Sequence, residues 1–423
     1  MTLLTAEVVT SVKEKAKKAK HVSKKLGLLH TEDKNEALLK LAEALEQNST
    51  FILQENQKDI DAGKEKGFSE ALLDRLMLNE ERIHEFAESL RLVTRLTDPV
   101  GEILDEWTLE NGLHVKSRRV PLGVIGMIYE ARPNVTVDAA GLALKAGNAV
   151  ILKGGSSAIS SNKAIVNVIH EALDQTKIPR DAVQLIEQTD RSSVQAMLHL
   201  KEWIDVLIPR GGASLIKTVV EQSTIPVLET GTGNCHVFID QTANVKKAIE
   251  IVINAKTNRP AVCNALETLI IHRDWLKENA ASLNEALLEH HVTVHGDEAA
   301  LPHFSNAIPA EEVDWTDEYL SLDLAVKVVD SIEEAIHHIE EYGTKHSEAI
   351  VTEDEEQALK FLNEIDAAAV YHNASTRFTD GGALGYGAEI GISTQKLHAR
   401  GPMGLPALTT TKLLLSGDGQ IRS

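Results

Sequence analysis

Cysteine and aromatic residues are scarce in this sequence of 423 residues. Two residues are cysteine and 4% are aromatic. Two cysteines cannot form the framework of a disulfide-stapled secreted domain, so we expect a reducing compartment or one thiol kept for chemistry. No stretch approaches the ~18 consecutive apolar residues of a membrane span, and the N-terminal segment lacks the apolar core of a signal peptide. We therefore expect a cytoplasmic protein without a membrane partner.

Positive charge is also scarce relative to negative charge. Lys and Arg number 43 against 63 Asp and Glu, so the formal net charge is −20. A chain this acidic is a poor candidate for binding nucleic acid, which we do not expect as a partner. The 17 histidines show no zinc-ligand spacing such as His-Glu-x-x-His, and we expect no metal site. An anionic ligand would require basic groups concentrated at one place.

The apolar pattern predicts an α/β protein of more than one domain. Residues 1 to about 98 carry apolar side chains at helical spacing. From residue 124 to residue 240, and again from about 245 to 366, short apolar runs alternate with amphipathic helices. Strands that alternate with helices predict parallel sheets covered on both faces. Between the helical block and the first of these blocks, Asn111-Gly112 within residues 107–120 predicts a β-hairpin, which we expect to pack on something, such as another subunit.

Cys263 is the first candidate catalytic residue. It lies in a loop between a predicted helix and a predicted strand, where a nearby Arg259 or Lys256 would favour the reactive thiolate. The alternative is that Cys263 is a small buried residue without a chemical role. Cys235 opens a predicted buried strand and is the weaker candidate.

Polar residues at other strand ends are further candidates. Asn134 could donate a hydrogen bond to a developing oxyanion, or cap a helix. Glu229 could serve as a general base or as a cap. Lys153 precedes one glycine-rich turn and Gly211-Gly212 form another, and such turns bind anions through backbone N–H groups, although an ordinary turn explains each equally well.

Six motifs follow one another along the chain: GVIGMIYEARPNVTVDAAGLALKAGNAVILKGGSSAISSN, IPRGGASLI, VLETGTGNCHVFID, NRPAVCNALETL, YHNASTRFTDGGALGYGAEIGISTQKLHARGPMGL and LTTTKLLL. Together, in this order, they resemble the aldehyde dehydrogenase superfamily and, within it, the enzymes that reduce L-glutamyl 5-phosphate. The resemblance covers nearly the whole chain.

The resemblance implies a role for each candidate. Cys263 corresponds to the nucleophile and Asn134 to the oxyanion-stabilising asparagine. Glu229 corresponds to the glutamate that activates water in oxidative relatives, and is positional or a base here. The implied cofactor-binding residues are Lys153 at the adenosine ribose, Gly211 and Gly212 near the pyrophosphate, and Glu318 at the nicotinamide ribose. The basic residues expected to bind the substrate's anionic groups are Arg132, Arg259, Lys396, His398 and Arg400.

The implied activity is the NADPH-dependent reduction of L-glutamyl 5-phosphate to L-glutamate 5-semialdehyde and phosphate through a cysteine thioester. This is the second step of proline biosynthesis from glutamate. The resemblance also implies a homo-oligomer, a dimer or tetramer, and a glutamate kinase as a channelling partner. The implied domains are an NADP-binding domain of residues 1–104, 121–235 and 366–392, a catalytic domain of residues 236–365, and an oligomerisation element of residues 105–120 and 393–423.

Two other functions stay open at this point. A different enzyme of the superfamily would oxidise a free aldehyde with NAD. A binding or scaffold protein would retain the fold without catalysis, although the presence of Cys263, Asn134 and Lys153 argues against it.

Overall fold

The computed structural model describes residues 3–422, which divide into two compact units. The first unit comprises the chain up to Glu229, residues Gly385–Gly391 and the chain from Met403 onward. The second unit comprises Thr230–Leu384 and Ile392–Pro402. Residues 1, 2 and 423 of the predicted domains lie outside the described residues.

The first unit opens with the predicted helical block. Helix α2 shows why these segments are helical: its buried Leu38, Leu41 and Leu45 recur on one face. Helix α5 begins at Asn79, whose side chain accepts a hydrogen bond from the backbone N–H of Arg82. The helices are α1 (Leu3–Leu26), α2 (Thr31–Gln47), α3 (Ser49–Glu65), α4 (Glu70–Leu76) and α5 (Glu80–Arg95).

The predicted hairpin follows, as strands β1 (Ile103–Thr108) and β2 (His114–Pro121) in antiparallel register. Only Gly112 of the Asn-Gly pair has a positive φ, of 83°. The hydrogen bond from Leu109 N to Leu113 O encloses three residues, so the turn is wider than the two-residue turn that we predicted.

The core of the first unit is a parallel sheet with the order β5-β4-β3-β6. Its strands are almost entirely buried, as the unbroken apolar runs predicted. The strands are β3 (Val124–Tyr129), β4 (Ala149–Lys153), β5 (Val183–Leu185) and β6 (Val206–Arg210), connected by helices α6 (Asn134–Lys145), α7 (Ile159–Leu173) and α8 (Arg191–Leu198), with α9 (Ala213–Gln222) after β6.

The second unit is built on a longer parallel sheet with the order β10-β9-β11-β8-β7-β12-β13. Strand β7 directs Val237 and Ile239 into one apolar cluster and Phe238 into another. Its strands are β7 (Cys235–Ile239), β8 (Leu266–His272), β9 (Thr293–Gly296), β10 (Ile308–Pro309), β11 (Asp323–Val329), β12 (Ser347–Val351) and β13 (Ala369–His372). Its helices are α10 (Val245–Thr257), α11 (Arg273–Glu289), α12 (Ile332–Tyr342) and α13 (Glu355–Glu364).

The observed units differ from the predicted domain boundaries. We assigned residues 366–392 to the cofactor domain, but residues up to Leu384 lie in the second unit because β13 pairs with β12. Residues 393–402 also lie there, and Arg400 joins them to Asp366 of the second unit. Within this segment β14 (Ile392–Ser393) pairs with β15 (Gly401–Pro402). The functions assigned to the domains stay predictions.

The C-terminal strand β16 (Thr409–Ser416) completes the hairpin. It pairs antiparallel with β2 along its whole length, from Thr409 opposite Pro121 to Ser416 opposite His114. A lone hairpin is marginally stable, and the third strand removes that weakness. Within residues 3–422 no helix is long and apolar enough to cross a membrane.

A buried ion pair ties α2 to the end of the helical block. Lys34 Nζ lies 2.8 Å from Asp98 Oδ2, and both side chains are buried. The Asp98 carboxylate also accepts hydrogen bonds from the Thr31 hydroxyl and the Val100 backbone N–H. It thus fixes the chain just before β1.

We expect Lys34→Met to lower the free energy of unfolding by about 3 kcal/mol, because it leaves the Asp98 charge buried without its partner. Urea denaturation followed by circular dichroism measures this. Lys40→Met on the same helix is the control: its pair with Glu43 is exposed, so a change below about 0.5 kcal/mol is expected. Equal effects of the two substitutions would contradict the prediction.

Candidate active site

The two cysteines differ in their exposure to solvent. Cys263 lies in the turn between α10 and β8 and is partly exposed, so it is not the buried small residue of the alternative interpretation. Cys235 is fully buried at the start of β7. Burial raises the pKa of the Cys235 thiol far above its ordinary value, and its Sγ donates to the Cys263 carbonyl at 3.2 Å. Of the two, Cys263 is the one that a substrate can reach.

The backbone around Cys263 leaves no room for a side chain at Gly233. A Cβ atom at that position would overlap the carbonyl oxygen of Cys263. The backbone N–H of Gly233 donates to Glu318 Oε1 at 2.6 Å, and burial raises the pKa of the Glu318 carboxyl. Glu318 therefore holds the segment that supports the Cys263 turn. Its predicted contact with the nicotinamide ribose stays a prediction.

A buried ion pair braces the elements on either side of this turn. Lys256 Nζ, on the last turn of α10, lies 2.6 Å from Glu267 Oε2 on β8, and both side chains are fully buried. Burial raises the pKa of Glu267 to about 7 and lowers the pKa of Lys256. The sequence suggested that Lys256 favours the Cys263 thiolate, but its ammonium group is bound to Glu267 instead.

Two of the predicted substrate-binding cations have an acidic partner that sequence analysis did not supply. Lys396 Nζ lies 2.9 Å from Asp366 Oδ2, and Arg400 Nη2 lies 2.7 Å from Asp366 Oδ1. These two contacts lower the pKa of Asp366 to about 2. His398, between the two cations, has a φ of 66°. The roles of all three in substrate binding stay predictions. Asp366 also lies 3.6 Å from Lys345 Nζ, so its single negative charge offsets only part of the positive charge of this segment.

Arg377 is a residue that the sequence analysis missed. It lies in the short turn Thr376–Phe378, where its Nη1 donates to the side-chain oxygen of Asn264, the residue that follows Cys263. Arg259 of the Cys263 loop is exposed. Arg377 lies in the motif that begins at Tyr371, but nothing in the spacing of that motif connects this arginine to Cys263.

In the first unit, Asn134 is the first residue of α6. The preceding residue, Pro133, occupies the cap position, so Asn134 is not the cap of the alternative interpretation. Asn134 Nδ2 donates to Asp138 Oδ2 at 3.1 Å, and burial raises the pKa of the Asp138 carboxyl. This bond orients the amide, whose other N–H is the donor that an oxyanion would require.

Lys153 ends β4 and the Gly211-Gly212 turn follows β6, both at the carboxyl edge of their sheet. Lys153 is buried, and its Nζ donates to the carbonyl of Gly154 at 2.9 Å. Burial lowers the pKa of Lys153. The N–H of Gly212, at the start of α9, donates to Glu130 Oε2 at 3.2 Å, so a carboxylate lies at the predicted pyrophosphate position.

The remaining predicted residues also follow strands of the first unit. Arg132 is exposed just before α6, and partly buried Glu229 ends the first continuous segment of the unit. One of the apolar runs between residues 124 and 240, the run 225–231, was expected to be a strand but makes only a single bridge between Val227 and Leu207. Among residues 3–422 no group of three or more His, Cys, Asp or Glu side chains could hold a metal ion.

Comparison with known proteins agrees with these observations. The chain matches the aldehyde dehydrogenase family over residues 2–321. It is 64% identical to gamma-glutamyl phosphate reductase 2 of Bacillus licheniformis over 422 residues, covering 100% of both chains. It is 58% identical to gamma-glutamyl phosphate reductase of Bacillus cereus, covering 98% of this chain and 100% of the relative. The crystal structure of gamma-glutamyl phosphate reductase from Thermotoga maritima matches with a TM-score of 0.95 at 51% identity, covering 97% of this chain and 100% of that one.

The chain therefore belongs to the aldehyde dehydrogenase family, and it is an oxidoreductase with the α/β fold of that family. Within the family, the relatives that it matches over its whole length are the gamma-glutamyl phosphate reductases. The resemblance inferred from the motifs is thus confirmed. Membership of the family implies a nicotinamide cofactor.

We expect Gly233→Ala to reduce turnover roughly 100-fold, because relieving the overlap displaces the Cys263 turn by an amount to which catalysis is sensitive. Steady-state kinetics and alkylation of Cys263 by iodoacetamide measure this. The control is Gly296→Ala, whose Cβ would meet Ala300 Cβ at 3.1 Å, a contact that a small shift relieves. An active Gly233→Ala variant would contradict the proposed positioning of the turn.

Proposed function

We propose that this protein reduces L-glutamyl 5-phosphate to L-glutamate 5-semialdehyde and phosphate with NADPH, as the second step of proline biosynthesis. The observation that carries the proposal is the 64% identity, over 100% of both chains, to a gamma-glutamyl phosphate reductase. The partly exposed cysteine in a braced turn supports it, since the reaction needs an accessible thiolate. The substrate is a small molecule, in keeping with the family.

The first step needs only groups of this chain and the substrate. The Cys263 thiolate attacks the acyl carbon, and the electron pair of the broken carbon–oxygen bond leaves with phosphate. A thioester on Cys263 remains. Asn134, with its amide oriented by Asp138, is the proposed donor to the oxyanion that precedes it, together with the backbone N–H of Cys263.

The cofactor-binding residues fit a phosphorylated dinucleotide. Lys153 is a buried ammonium group at a strand end with a backbone carbonyl as partner, which suits the adenosine ribose and its 2′-phosphate. The N–H of Gly212 faces a carboxylate, which shows that the start of α9 accepts negative charge. Bound NADPH would supply the hydride that reduces the thioester. Collapse of the resulting thiohemiacetal then releases the aldehyde and regenerates the Cys263 thiolate.

The reductive cycle requires no hydrolytic water, so Glu229 is proposed as a positional residue and not as the base of a hydrolytic step. The rival function, oxidation of a free aldehyde with NAD, would release a carboxylic acid and need such a base. A dependence on phosphate in the reverse reaction separates the two activities. A channelling partnership with a glutamate kinase stays a prediction, as does the cytoplasmic location.

The exposed face of the three-stranded sheet supports the proposed homo-oligomer. Trp107 on β1 and Leu415 on β16 flank the buried Val115 of β2, with Leu413 on the same face. Trp107, Leu413 and Leu415 are exposed, so this face of the three-stranded sheet carries an apolar surface. We propose that a second copy of this chain covers it.

We expect Cys263→Ala to abolish phosphate-dependent reduction of NADP⁺ by glutamate 5-semialdehyde, with a loss of roughly 10³-fold or more, because no other accessible thiol can form the thioester. Absorbance at the NADPH band measures the rate. Cys235→Ala is the matched control and should retain activity within roughly tenfold, since Cys235 is buried. Full activity of Cys263→Ala would overturn the proposed function. So would a wild-type rate of NADP⁺ reduction that does not depend on the phosphate concentration.

We expect Leu415→Glu to convert the oligomer to a smaller species, because the new charge cannot be buried in an apolar contact. Size-exclusion chromatography with light scattering measures the mass. Leu359→Glu on α13 is the control, since Leu359 is comparably exposed, at 60% against 57%, away from this sheet. A wild-type monomer, or an unchanged mass for Leu415→Glu, would rule out this surface.

A further inference from the structure

Arg377, which lies in another part of the second unit, contacts the Cys263 turn. Arg377 donates through Nη1 to the side-chain oxygen of Asn264 and through Nε to that of Asn258 at 3.3 Å. Both acceptors are neutral amides. The positive charge of Arg377 is therefore not cancelled by its hydrogen-bond partners, in contrast to Arg400, which pairs with Asp366.

The network that holds Arg377 is built into the protein interior. Asn264 is buried, and its Nδ2 donates to the carbonyl of Thr379 at 2.9 Å. The buried Thr376 hydroxyl donates to the carbonyl of Asn264 at 2.8 Å. These bonds fix the turn that carries Arg377 to the residue that follows the nucleophile, so this guanidinium is positioned in advance of any ligand.

Arg259 adds a second positive charge beside Asn258, the other acceptor of Arg377. It is exposed in the Cys263 loop. Burial lowers the pKa of Arg377, and the charge of Arg259 lowers it further, whereas Asp380 and Cys263 oppose the shift. Arg377 contacts Asn258, the residue next to Arg259, so the two like charges lie on adjoining segments, and an anion between them would relieve their repulsion.

We propose that Arg377 and Arg259 form the subsite for the phosphate group of the substrate, beside Cys263. This inference rests on the proposed function. As the bond from Cys263 Sγ to the acyl carbon forms and the carbon–oxygen bond breaks, the electron pair and its negative charge pass to the departing phosphate. Guanidinium groups bind phosphate oxygens in a bidentate manner, and a pair of them matches a doubly charged leaving group.

The phosphate is a better match than the α-carboxylate of the same substrate. Phosphorus is joined through one oxygen to the carbon that the thiolate attacks, whereas the α-carboxylate lies at the far end of the glutamyl chain. A guanidinium tied to the residue after Cys263 is therefore near the leaving group. A carboxylate also carries a single charge, which one arginine satisfies.

The reverse reaction tests the assignment, because phosphate is then a separate substrate. NADP⁺ reduction by glutamate 5-semialdehyde is measured while inorganic phosphate is varied. We expect Arg377→Gln and Arg259→Gln each to raise the KM for phosphate roughly 10- to 100-fold, and the KM for arsenate likewise, with the KM for NADP⁺ unchanged. Arg273→Gln is the matched control, since Arg273 pairs with Asp330 on the surface of the same unit.

The outcomes separate the alternatives. A rise in the KM for the semialdehyde, with the KM for phosphate unchanged, would overturn the phosphate assignment in favour of a carboxylate site. A fall in kcat alone would overturn it in favour of a structural role. If Arg377→Gln fails to fold, exposed Arg259→Gln decides the question. If the wild type depends on phosphate but neither substitution changes the KM for phosphate, this subsite alone is refuted. If the wild type needs no phosphate, the proposed function and the subsite are refuted together.

Discussion

The close approach of the Gly233 backbone to the Cys263 carbonyl is the contact on which the site in the second unit depends. It leaves no space for a side chain, so the position of the turn is set by backbone against backbone. Glu318 fixes Gly233, and the buried pair of Lys256 and Glu267 braces the turn on its other side. Since such pairs contribute little net stability, their effect here is on position. A partly exposed thiol is thereby held on rigid elements.

The charged side chains differ in whether a group of opposite charge lies beside them. In a chain of net charge −20, most cations find a carboxylate, and Lys396 and Arg400 share Asp366. Arg377 differs because the side chains that accept its hydrogen bonds are neutral amides, which is the basis for proposing that it binds an anion. An acidic protein can thus bind an acidic substrate, since local geometry and not net charge decides which cations remain uncompensated.

Much of the fold was predictable because its causes are local. Helical spacing identified α2 and α5, and unbroken apolar runs identified the buried strands of both sheets. The Asn-Gly pair located the hairpin, although the turn is wider than we predicted because only Gly112 adopts a positive φ. The unit boundaries were less predictable. Strand β13 follows a helix like many others, and only its pairing with β12 places it in the second unit.

The sequence by itself determined the order of the secondary-structure elements, the family and the candidates Cys263, Asn134 and Lys153, because periodicity and motifs are properties of neighbouring residues. Only the tertiary structure decided which charges are neutralised and what surrounds the thiol. Asp366, Glu130, Glu318 and Arg377 meet their partners across long stretches of chain. Such meetings depend on how strands and helices pack, a relation that residue spacing does not encode.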